Sequence, residues 1–433
     1  MSATAAPASF ADRVRTRDAR IGIIGLGYAG LPLAIAFADA GFEVTGIDVS
    51  TERVDAVNQK RSYLVDVPAE RYDVEGTLKA TADYSAVGDL DALTICVPTP
   101  LSKTRTPDLG YVVAAAESVS EHLRPGQLII LQSTTYPGTT EEVIVPILEK
   151  RGLRVGRDFH VGYAPERVDP GNETWHLRNT PKLVAGVTPE CRARTQQVYE
   201  TVVDTVNPVR STMVAETAKL HENTFRAVNI ALANELALMC DRLGINAWEV
   251  IDAAASKPFA FLPHYPGPGL GGDCIPVVPH FLSWRLKEYG FSTRLIDAAH
   301  EVNASMPLHV IQKIADALND QGRAIKRSRI LLLGMAYKPN VHDTRESPSL
   351  EIYRQLLARG GELTFCDPWV PVIELDGQRH FSTEWSAETV RNADCVVMLT
   401  PHGQFLDDAL WDEARLLVDT RNIVPDAQNV WRI

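Results

Sequence analysis

The sequence predicts an α/β protein made of two doubly wound parallel sheets joined by a long central helix. Short apolar runs alternate with helical segments in the first half of the chain, and the same alternation returns after residue 319. Between these blocks, residues 212–243 keep a helical pattern without an internal Gly or Pro. A chain of 433 residues is long enough for two or three domains, each with its own core.

Composition and charge narrow the class of protein. Hydrophobic residues make up 45% of the chain and charged residues 23%, which is typical of a soluble globular protein. The net charge of -12 argues against nucleic-acid binding, which needs a basic surface. The six cysteines form no CxxC pair and have no zinc-ligand spacing, so we expect free thiols in the cytoplasm and no metal site. Residues 1–20 lack an apolar stretch long enough for a signal peptide or membrane span, and are expected to form a flexible arm.

The first α/β unit opens with a buried strand at residues 21–24, followed by Gly25-Leu26-Gly27-Tyr28-Ala29-Gly30. A helix over 31–40 and a strand over 42–47 come next, and Asp48 closes the strand. This is a GxGxxG fingerprint in its strand–turn–helix context, which predicts a Rossmann-like dinucleotide-binding domain.

Each fingerprint residue has a physical role in that prediction. Gly25 allows the tight turn, Gly27 lets a pyrophosphate approach the backbone, and Gly30 brings helix and strand together. The N–H groups at the helix N-terminus would hold the phosphates. The Asp48 carboxylate can accept both hydroxyls of an adenosine ribose and would repel a 2′-phosphate, so NAD is favoured over NADP. Arg53 either flanks the adenosine or is a solvated helix charge.

Three more strands of this domain, predicted over 21–211, end in polar loops. They lead into Pro98-Thr99-Pro100, Thr134 and Glu166, respectively. Ligands of open α/β sheets bind outside the carboxyl ends of the strands. Thr134 and Glu166 are therefore candidates for contact with water or substrate, while each alone could be a capping or turn residue. In this domain the expected NAD contacts are Gly25, Gly27, Tyr28, Ala29, Gly30, Asp48, Arg53, Val97, Pro98, Thr99 and Thr134.

The central region, predicted over 212–318, begins with the long helix and contains an unusual cysteine loop. Lys219 and Asn223 are four residues apart and project from one helix face, where they would hold an oxyanion or form a polar stripe. The helix is long and apolar enough to pack against a second copy, which predicts a homodimer. Cys274 lies in the Gly- and Pro-rich run 266–276, which leaves its sulfur approachable. We interpret it as a nucleophile rather than a buried thiol beside a turn.

A second α/β unit, predicted over 319–433, repeats the first without the glycine fingerprint. It should therefore bind a different ligand. Lys338, Arg345 and Arg421 supply cations suited to a diphosphate or a carboxylate, although solvated surface charge is an equal alternative.

Seven motifs occur in a characteristic order. They are Gly25–Pro32, Pro98-Thr99-Pro100, Ser133-Thr134, Pro165-Glu166-Arg167, the helix with Lys219 and Asn223, the Cys274 loop, and Asp343–Pro348. From residue 21 onward the chain resembles the UDP-glucose/UDP-N-acetylhexosamine 6-dehydrogenase family. The resemblance implies oxidation of a sugar 6-hydroxyl to a carboxylate, using two NAD and one water.

The resemblance also implies residue roles. Cys274 would attack the intermediate aldehyde, giving a thiohemiacetal and then a thioester. Thr134 and Glu166 would position water, with Glu166 as general acid/base, while Lys219 and Asn223 would stabilise the oxyanion. Cys274 and Arg345 would also contact the cofactor. The implied substrate contacts are Glu166, Arg167, Lys219, Asn223, Tyr265, Gly267, Gly269, Gly271, Lys338 and Arg421.

Two departures affect the substrate and leave alternatives open. Val278 stands where the family usually has an Asp, and Asp273 precedes the cysteine where hexosamine relatives tend to carry His. Whether Asp273 replaces the missing acid is open. Residues 165–172 and 274–276 favour a UDP-N-acetylhexosamine substrate, with UDP- or dTDP-glucose as the alternative. A two-electron hydroxyacid dehydrogenase and a non-catalytic NAD or nucleotide-sugar binding protein are the alternatives from other classes.

Overall fold

The computed structural model describes residues 8–64, 67–102, 104–169, 171–172, 174–272, 274–406 and 409–433. The α-helices are α1 (Phe10–Thr16), α2 (Gly30–Asp39), α3 (Thr51–Asn58), α4 (Gly110–His122), α5 (Val145–Leu148), α6 (Pro189–Tyr199), α7 (Thr212–Leu243), α8 (Ala247–Ala255), α9 (Pro279–Lys287), α10 (Arg294–Asp320), α11 (Pro348–Ala358) and α12 (Ala387–Asn392). The strands are β1 (Arg20–Ile24), β2 (Glu43–Ile47), β3 (Thr77–Thr81), β4 (Ala92–Ile95), β5 (Leu128–Leu131), β6 (His160–Tyr163), β7 (Lys182–Gly186), β8 (Val206–Pro208), β9 (Arg329–Leu333), β10 (Glu362–Cys366), β11 (Val372–Leu375), β12 (Gln378–Phe381), β13 (Cys395–Met398), β14 (Leu417–Asp419) and β15 (Val430–Arg432).

The first sheet has the strand order β3-β2-β1-β4-β5-β6-β7-β8. Its strands are parallel except where β7 runs antiparallel to β6. The order of the first six strands is that of a Rossmann fold, in which β1 and β4 mark the point where the chain reverses direction across the sheet. The carboxyl ends of these strands therefore share one edge, which is where ligands bind in such sheets.

The second sheet has the order β10-β9-β13-β14-β15 and is entirely parallel. A separate antiparallel hairpin is formed by β11 and β12. Together the two sheets confirm the predicted α/β class with two Rossmann-like folds and a long helix between them in sequence. None of the helices in the described ranges has the length and apolar character needed to cross a bilayer.

Both sheets are covered on both faces, which explains why their central strands are apolar throughout. In β5, Leu128 and Ile130 belong to one apolar cluster, whereas Ile129 and Leu131 belong to another. The strand β9 alternates in the same way between two further clusters. Because successive residues of a strand point to opposite faces, an uninterrupted apolar run is needed when both faces are packed.

The chain forms two compact units, and the middle of the sequence contributes to both. One unit comprises Met1–Glu222 and His280–Gly290, and the other comprises Asn223–Pro279 and Phe291–Ile433. Helix α7 begins in the first unit and ends in the second. The segment predicted as one central region, 212–318, is thus divided between the two units.

The N-terminal segment differs from the predicted flexible arm where it is described. Phe10 and Val14 of α1 are buried in the first unit. The Arg13 guanidinium donates to the buried Asp91 carboxylate at 2.8 Å, and the Ser9 hydroxyl caps the helix. The prediction was wrong here because two apolar residues four positions apart bury one side of a short helix, a pattern too brief to separate from a tail. Residues 1–7 lie outside the described residues.

Candidate active site

The turn between β1 and α2 is built around three glycines. Gly25 has a φ of +89°, and a Cβ there would lie 2.7 Å from the Cys96 carbonyl oxygen. A Cβ on Gly30 would lie 1.8 Å from the Gly25 carbonyl oxygen, so a side chain at either position would open the turn. A Cβ on Gly27 would meet no heavy atom of the described residues within 4 Å. The turn therefore leaves open space at the position where a phosphate is expected.

The Asp48 carboxylate is fixed at the end of β2. It is 4% exposed and accepts hydrogen bonds from the backbone N–H groups of Leu26 and Ser50 at 2.7 and 2.8 Å. The Arg53 guanidinium lies 3.3 Å from the same carboxylate. Tyr63, which sequence reasoning missed, donates from its hydroxyl to the Leu26 carbonyl at 2.6 Å. These bonds hold the acid and the glycine turn in one arrangement.

The loops after β4 and β5 are joined by hydrogen bonds. The Thr99 hydroxyl donates to the Thr134 carbonyl at 2.7 Å, and the Ser133 hydroxyl donates to the Val97 carbonyl at 2.7 Å. Pro98 lies between the two bonded residues of the first loop. The predicted contacts Val97, Pro98, Thr99 and Thr134 thus lie together at the carboxyl edge of the first sheet.

Glu166 follows β6 at the same edge, and its carboxylate accepts four hydrogen bonds. One oxygen accepts from the backbone N–H groups of Arg167 and Val168, both at 2.8 Å. The other accepts from the Gln132 amide at 2.8 Å and from the Lys182 ammonium at 3.3 Å. Burial would raise the pKa of Glu166, but Lys182, the two N–H donors and Lys219 together hold it below its usual value. The carboxylate is therefore ionised at neutral pH.

Arg167, expected near the substrate, has partners within the first unit. Its guanidinium lies 2.7 Å from the Glu222 carboxylate and donates to the Pro181 carbonyl at 2.6 Å. These bonds connect the loop after β6 to helix α7. Arg167 is thus engaged as a connector between two elements, an arrangement that its position in a motif did not reveal.

The start of α7 is anchored to the loop after β5. The fully buried Glu216 carboxylate accepts from the backbone N–H groups of Gly138 and Thr140 at 2.7 and 2.9 Å. Lys219 lies one turn further along and is 8% exposed. Its charge contributes to lowering the pKa of Glu166, so the two groups share one electrostatic environment. A single Glu within a helical pattern gave no clear sequence signal for this anchoring role.

In the second unit, Cys274 differs from every other cysteine of the chain. Cys274 is exposed, whereas Cys96, Cys191, Cys240, Cys366 and Cys395 are buried. Burial raises the pKa of Cys366 to about 12 and places the pKa values of Cys96 and Cys395 well above the usual range. A neutral thiol is a poor nucleophile, so these buried residues are unsuited to the role proposed for Cys274.

Two positions, Val278 and Asp273, depart from the pattern of the family that the sequence resembles. Val278 is 3% exposed, and its backbone N–H donates to the Cys274 carbonyl at 2.9 Å, so an apolar side chain fills this position. Asp273 lies outside the described residues.

The side-chain nitrogen of Asn223 is inaccessible to solvent and has no hydrogen-bond partner among the described residues. An unsatisfied buried amide of this kind is a candidate ligand contact.

The glycine loop before Cys274 packs against the loops of the second sheet. The Gly267 N–H donates to the Asn234 side chain at 3.0 Å, and a Cβ on Gly267 would lie 2.5 Å from a terminal nitrogen of Arg421. A Cβ on Gly271 would lie 2.6 Å from the Tyr337 side chain. The glycines therefore allow the loop to approach two segments that are distant in sequence.

The predicted cations of the second unit lie along these segments. Arg421 donates from its Nε to the Leu399 carbonyl at 2.7 Å, and burial lowers its pKa to about 10. Arg345 pairs with Asp343 at 2.6 Å, and its carbonyl accepts from the Gly272 N–H at 2.9 Å.

Three more predicted substrate contacts belong to the same unit. Lys338 follows Tyr337 directly, and its ammonium lies 5.8 Å from that ring centroid. Tyr265 is 44% exposed and donates from its hydroxyl to Asp252 at 2.6 Å. Gly269 has a φ of +135°, and a Cβ there would lie 3.1 Å from Pro348 at the start of α11.

Comparison with known proteins identifies the family. The sequence matches the NAD binding domain, the central domain and the UDP binding domain of the UDP-glucose/GDP-mannose dehydrogenase family at residues 19–203, 213–305 and 331–432. The chain belongs to this family. As a member of the UDP-glucose/GDP-mannose dehydrogenase family, it is an NAD-dependent dehydrogenase.

Relatives match over nearly their whole length. An NDP-N-acetyl-D-galactosaminuronic acid dehydrogenase of Ralstonia solanacearum is 36% identical over 430 residues, covering 95% of this chain and 98% of the relative. A UDP-N-acetyl-D-mannosamine dehydrogenase of Escherichia coli (strain K12) is 35% identical over 434 residues, covering 96% and 99%. The solved structure of UDP-D-ManNAc dehydrogenase from Pyrococcus horikoshii has a TM-score of 0.88 and 33% identity, covering 96% of this chain and 99% of that chain.

The first unit of this dehydrogenase fits NAD. The open space beside Gly27 would admit the pyrophosphate. Helix α2 begins after Ala29, and no side-chain cap bonds to the N–H groups of its first turn, which are therefore suited to phosphate oxygens. The Asp48 carboxylate keeps acceptor capacity for ribose hydroxyls beyond its three protein donors. Gly25, Gly27, Ala29, Gly30 and Asp48 would therefore hold the adenosine and pyrophosphate.

Proposed function

We propose that the protein oxidises the C6 hydroxymethyl group of a nucleotide-diphospho-N-acetylhexosamine to a carboxylate, in a four-electron reaction through a covalent bond to Cys274. The observation that carries the proposal is the single exposed thiol among six, placed on a glycine loop beside the loops that bear Lys338, Arg345 and Arg421. The family assignment and the sugars named for both sequence relatives support the substrate class.

The proposed chemistry balances at one carbon, C6, which loses two hydrides, forms and then breaks one carbon–sulfur bond, and gains one oxygen from water. The C6 hydroxyl loses a proton and the carbon loses a hydride, which gives an aldehyde. The Cys274 thiolate adds to the aldehyde, and loss of a second hydride from the same carbon gives a thioester. Water then adds to the thioester, the carbon–sulfur bond breaks to return the Cys274 thiolate, and the carboxylate leaves as two protons pass to solvent. NAD, when bound, supplies the hydride acceptor for both oxidation steps.

The chain's own residues account for the remaining requirements of this reaction. The ammonium of Lys219 and the unsatisfied amide of Asn223 are donors suited to the oxyanion that forms after each addition. Thr134 and the ionised Glu166 are proposed to hold the hydrolytic water. Arg421 and Lys338 are proposed to bind the diphosphate, because guanidinium and ammonium groups bind phosphate oxygens strongly.

We further propose that the protein is a homodimer. Leu232, Met239 and Leu243 of α7 are 61%, 46% and 71% exposed, and Phe259 and Leu262 of the following segment are 67% and 62% exposed. Large apolar side chains that recur along one stretch of a unit are typical of a surface covered by a partner. The apolar character of α7 favours a second copy of the chain as the partner that covers this surface.

The test combines product analysis with hydride stoichiometry. The protein is incubated with NAD and, separately, with UDP-N-acetylglucosamine, -galactosamine and -mannosamine, UDP-glucose and dTDP-glucose. We expect two NADH per sugar and a uronic acid by mass spectrometry, with the highest kcat/KM for an N-acetylhexosamine. One NADH per sugar would instead identify a two-electron dehydrogenase, and binding of both ligands without NADH would identify a binding protein.

A cysteine variant tests the covalent step. Cys274→Ser should retain NAD binding but form no acid, because a serine hydroxyl lacks the acidity and nucleophilicity of the thiol. Cys240→Ser is the matched control in the same unit, since its thiol is buried and has no proposed role. Acid formation by Cys274→Ser at the wild-type rate would contradict the thioester route.

A further inference from the structure

Lys182 is a buried cation that sequence reasoning did not single out. It is the first residue of β7 and is 2% exposed. Removing an ammonium from water is costly unless a partner compensates for the lost hydration. Lysine at the start of a strand usually keeps its charge in solvent, so its burial at this position calls for a functional explanation.

The partners of Lys182 converge on Glu166. Its ammonium lies 3.3 Å from a Glu166 carboxylate oxygen and 3.3 Å from the Gln132 side-chain oxygen. Gln132 in turn donates to the same Glu166 oxygen at 2.8 Å, and its own oxygen accepts from the Tyr199 hydroxyl at 2.6 Å. The ammonium also lies 5.2 Å from the Tyr199 ring centroid. The network fixes the orientation of the amide and of the carboxylate together.

The charges around this pair come from several elements. Lys219 on α7 acts on both Glu166 and Lys182, the Cys96 thiol follows β4, and Arg167 is paired with Glu222. Burial lowers the pKa of Lys182, although Glu166 opposes that effect. The Lys182 side-chain nitrogen meets two oxygen acceptors, and the Glu166 carboxylate meets four donors, an arrangement suited to a cation paired with an anion.

We propose that Lys182 is a positioning residue for the reaction, which holds the Glu166 carboxylate as an anion in a single orientation so that it can orient the hydrolytic water. The inference rests on the proposed function and refines the part that Glu166 plays in it. Four protein donors hold the carboxylate in place, and its proposed role is that of a fixed negative charge that orients the water rather than a shuttle for protons.

The antiparallel reversal of β7 makes this arrangement possible. β7 pairs with β6 in the antiparallel sense, with Tyr163 opposite Ala185, so that the first residues of β7 lie beyond the carboxyl end of β6, on the side of the loop that follows it. In a parallel strand the first residue would lie at the opposite edge of the sheet, away from the loops of the site. The one antiparallel pairing of the described sheet thus brings Lys182 to the loop that carries Glu166.

The test uses Lys182→Met, Glu166→Gln, the double variant, and Lys150→Met as the matched control. Lys150 forms an exposed pair with Glu117 at 2.9 Å, so its substitution removes the same charge without touching the site. We expect Lys182→Met to lower kcat by about 100-fold, the typical effect of misplacing a reacting group. We also expect the acid limb of its pH–rate profile to move to higher pH, because Glu166 loses its cation, while Lys150→Met keeps the wild-type profile.

Two further readouts separate positioning from a structural role. The covalent adduct on Cys274 should accumulate in Lys182→Met during turnover, which intact-protein mass spectrometry detects, since hydrolysis is the slowed step. In the Glu166→Gln background, Lys182→Met should cause little additional loss, because its effect passes through Glu166. If Lys182→Met alone does not fold, the double variant is compared with Glu166→Gln alone, and a large additional loss would overturn the proposal.

An unshifted acid limb in Lys182→Met, or a loss in the double variant equal to the product of the single losses, would overturn the proposal. A failure of the proposed function would appear elsewhere, in the wild-type protein, as the absence of two NADH and acid. The two failures are therefore distinguishable from the same set of measurements.

Discussion

Gly267→Ala should weaken nucleotide-sugar binding while leaving the fold intact. The added Cβ would lie 2.5 Å from a terminal nitrogen of Arg421 and 3.0 Å from the central carbon of its guanidinium. Gly267 does not have a positive φ, so alanine is acceptable to the backbone, and the Gly267 N–H can still donate to Asn234. The clash falls on the far end of a long side chain, which can move away.

The cost of that movement can be worked from the bonds of Arg421. The guanidinium is held by its Nε donating to the Leu399 carbonyl at 2.7 Å, so it cannot turn aside without losing this bond or the proposed phosphate contact. A hydrogen bond from a charged group contributes about 1.5–3 kcal/mol. Since 1.4 kcal/mol corresponds to a factor of ten, Kd for the nucleotide sugar should rise about 10- to 100-fold.

Isothermal titration calorimetry with the nucleotide sugar measures this change directly, and a parallel titration with NAD should give the wild-type Kd. Gly88→Ala is the matched control, because the nearest atom to its Cβ would be the His122 carbonyl oxygen at an ordinary 3.8 Å. Arg421→Met should weaken binding to a similar extent, and combining it with Gly267→Ala should add little. An unchanged Kd in Gly267→Ala would refute the assignment of Arg421 to the substrate.

Three other changes test the fold, the cofactor turn and the assembly. Tyr63→Phe removes the bond to the Leu26 carbonyl, so the free energy of unfolding should fall by about 1 kcal/mol and KM for NAD should rise in steady-state assays. Asp91→Asn should lower the Tm at pH 7, because burial would raise the pKa of this carboxylate but the Arg20 N–H, Arg124 and Arg13 together hold it below its usual value. The wild-type advantage exists above the unfolded pKa of about 3.9 and should disappear as pH falls through the lower folded pKa, which thermal melts across pH would show. Leu232→Arg should convert the proposed dimer to monomer in light scattering, and an unchanged mass would move the interface elsewhere.

Strong local patterns made much of the fold predictable. The predicted helix over 212–243 coincides with α7, and the predicted strands at 21–24 and 42–47 agree with β1 and β2 to within one residue. These elements have uninterrupted periodicity and clear stop signals. The class of fold followed from their order.

Other elements escaped prediction for identifiable reasons. The hairpin of β11 and β12 turns at Asp376-Gly377, where both residues have positive φ. Asp-Gly is a recognised hairpin signal, but the flanking strands are too short to show a clear strand pattern in the sequence. Helix α10 continues through Pro307, a residue that normally ends a helix.

The candidate site was predictable where it is local in sequence and hidden where it depends on pairing between distant elements. The glycine turn, Asp48 and the Cys274 loop each carry their signal within a few residues. Lys182 does not, because its role depends on the antiparallel placement of β7 beside β6. A lysine ahead of an apolar run looks the same whether it faces solvent or a carboxylate. Only the topology distinguishes these cases.

The second sheet retains more of the first fingerprint than the sequence suggested. Gly334 has a φ of +89°, the same value as Gly25, and a Cβ on it would lie 2.6 Å from the Thr400 carbonyl, as one on Gly25 would lie 2.7 Å from that of Cys96. Asp367 directly follows β10 as Asp48 directly follows β2. The complete fingerprint is absent, since Ala336 and Pro339 stand at the second and third glycine positions, but Gly334 serves the same tight turn.

The two sheets differ in how many hydrogen bonds this aspartate accepts from the protein. Asp367 accepts from the backbone N–H groups of Met335, Ala336, Trp369 and Val370, and also lies 3.1 Å from His402 Nε2. His402 Nδ1 accepts from the Asn340 N–H, so Nε2 carries the proton and donates to the carboxylate. Five protein donors thus occupy Asp367, against three at Asp48. With its acceptor sites filled from within, Asp367 has no capacity for ribose hydroxyls, which explains how one architecture can serve a dinucleotide in the first unit and a different ligand in the second.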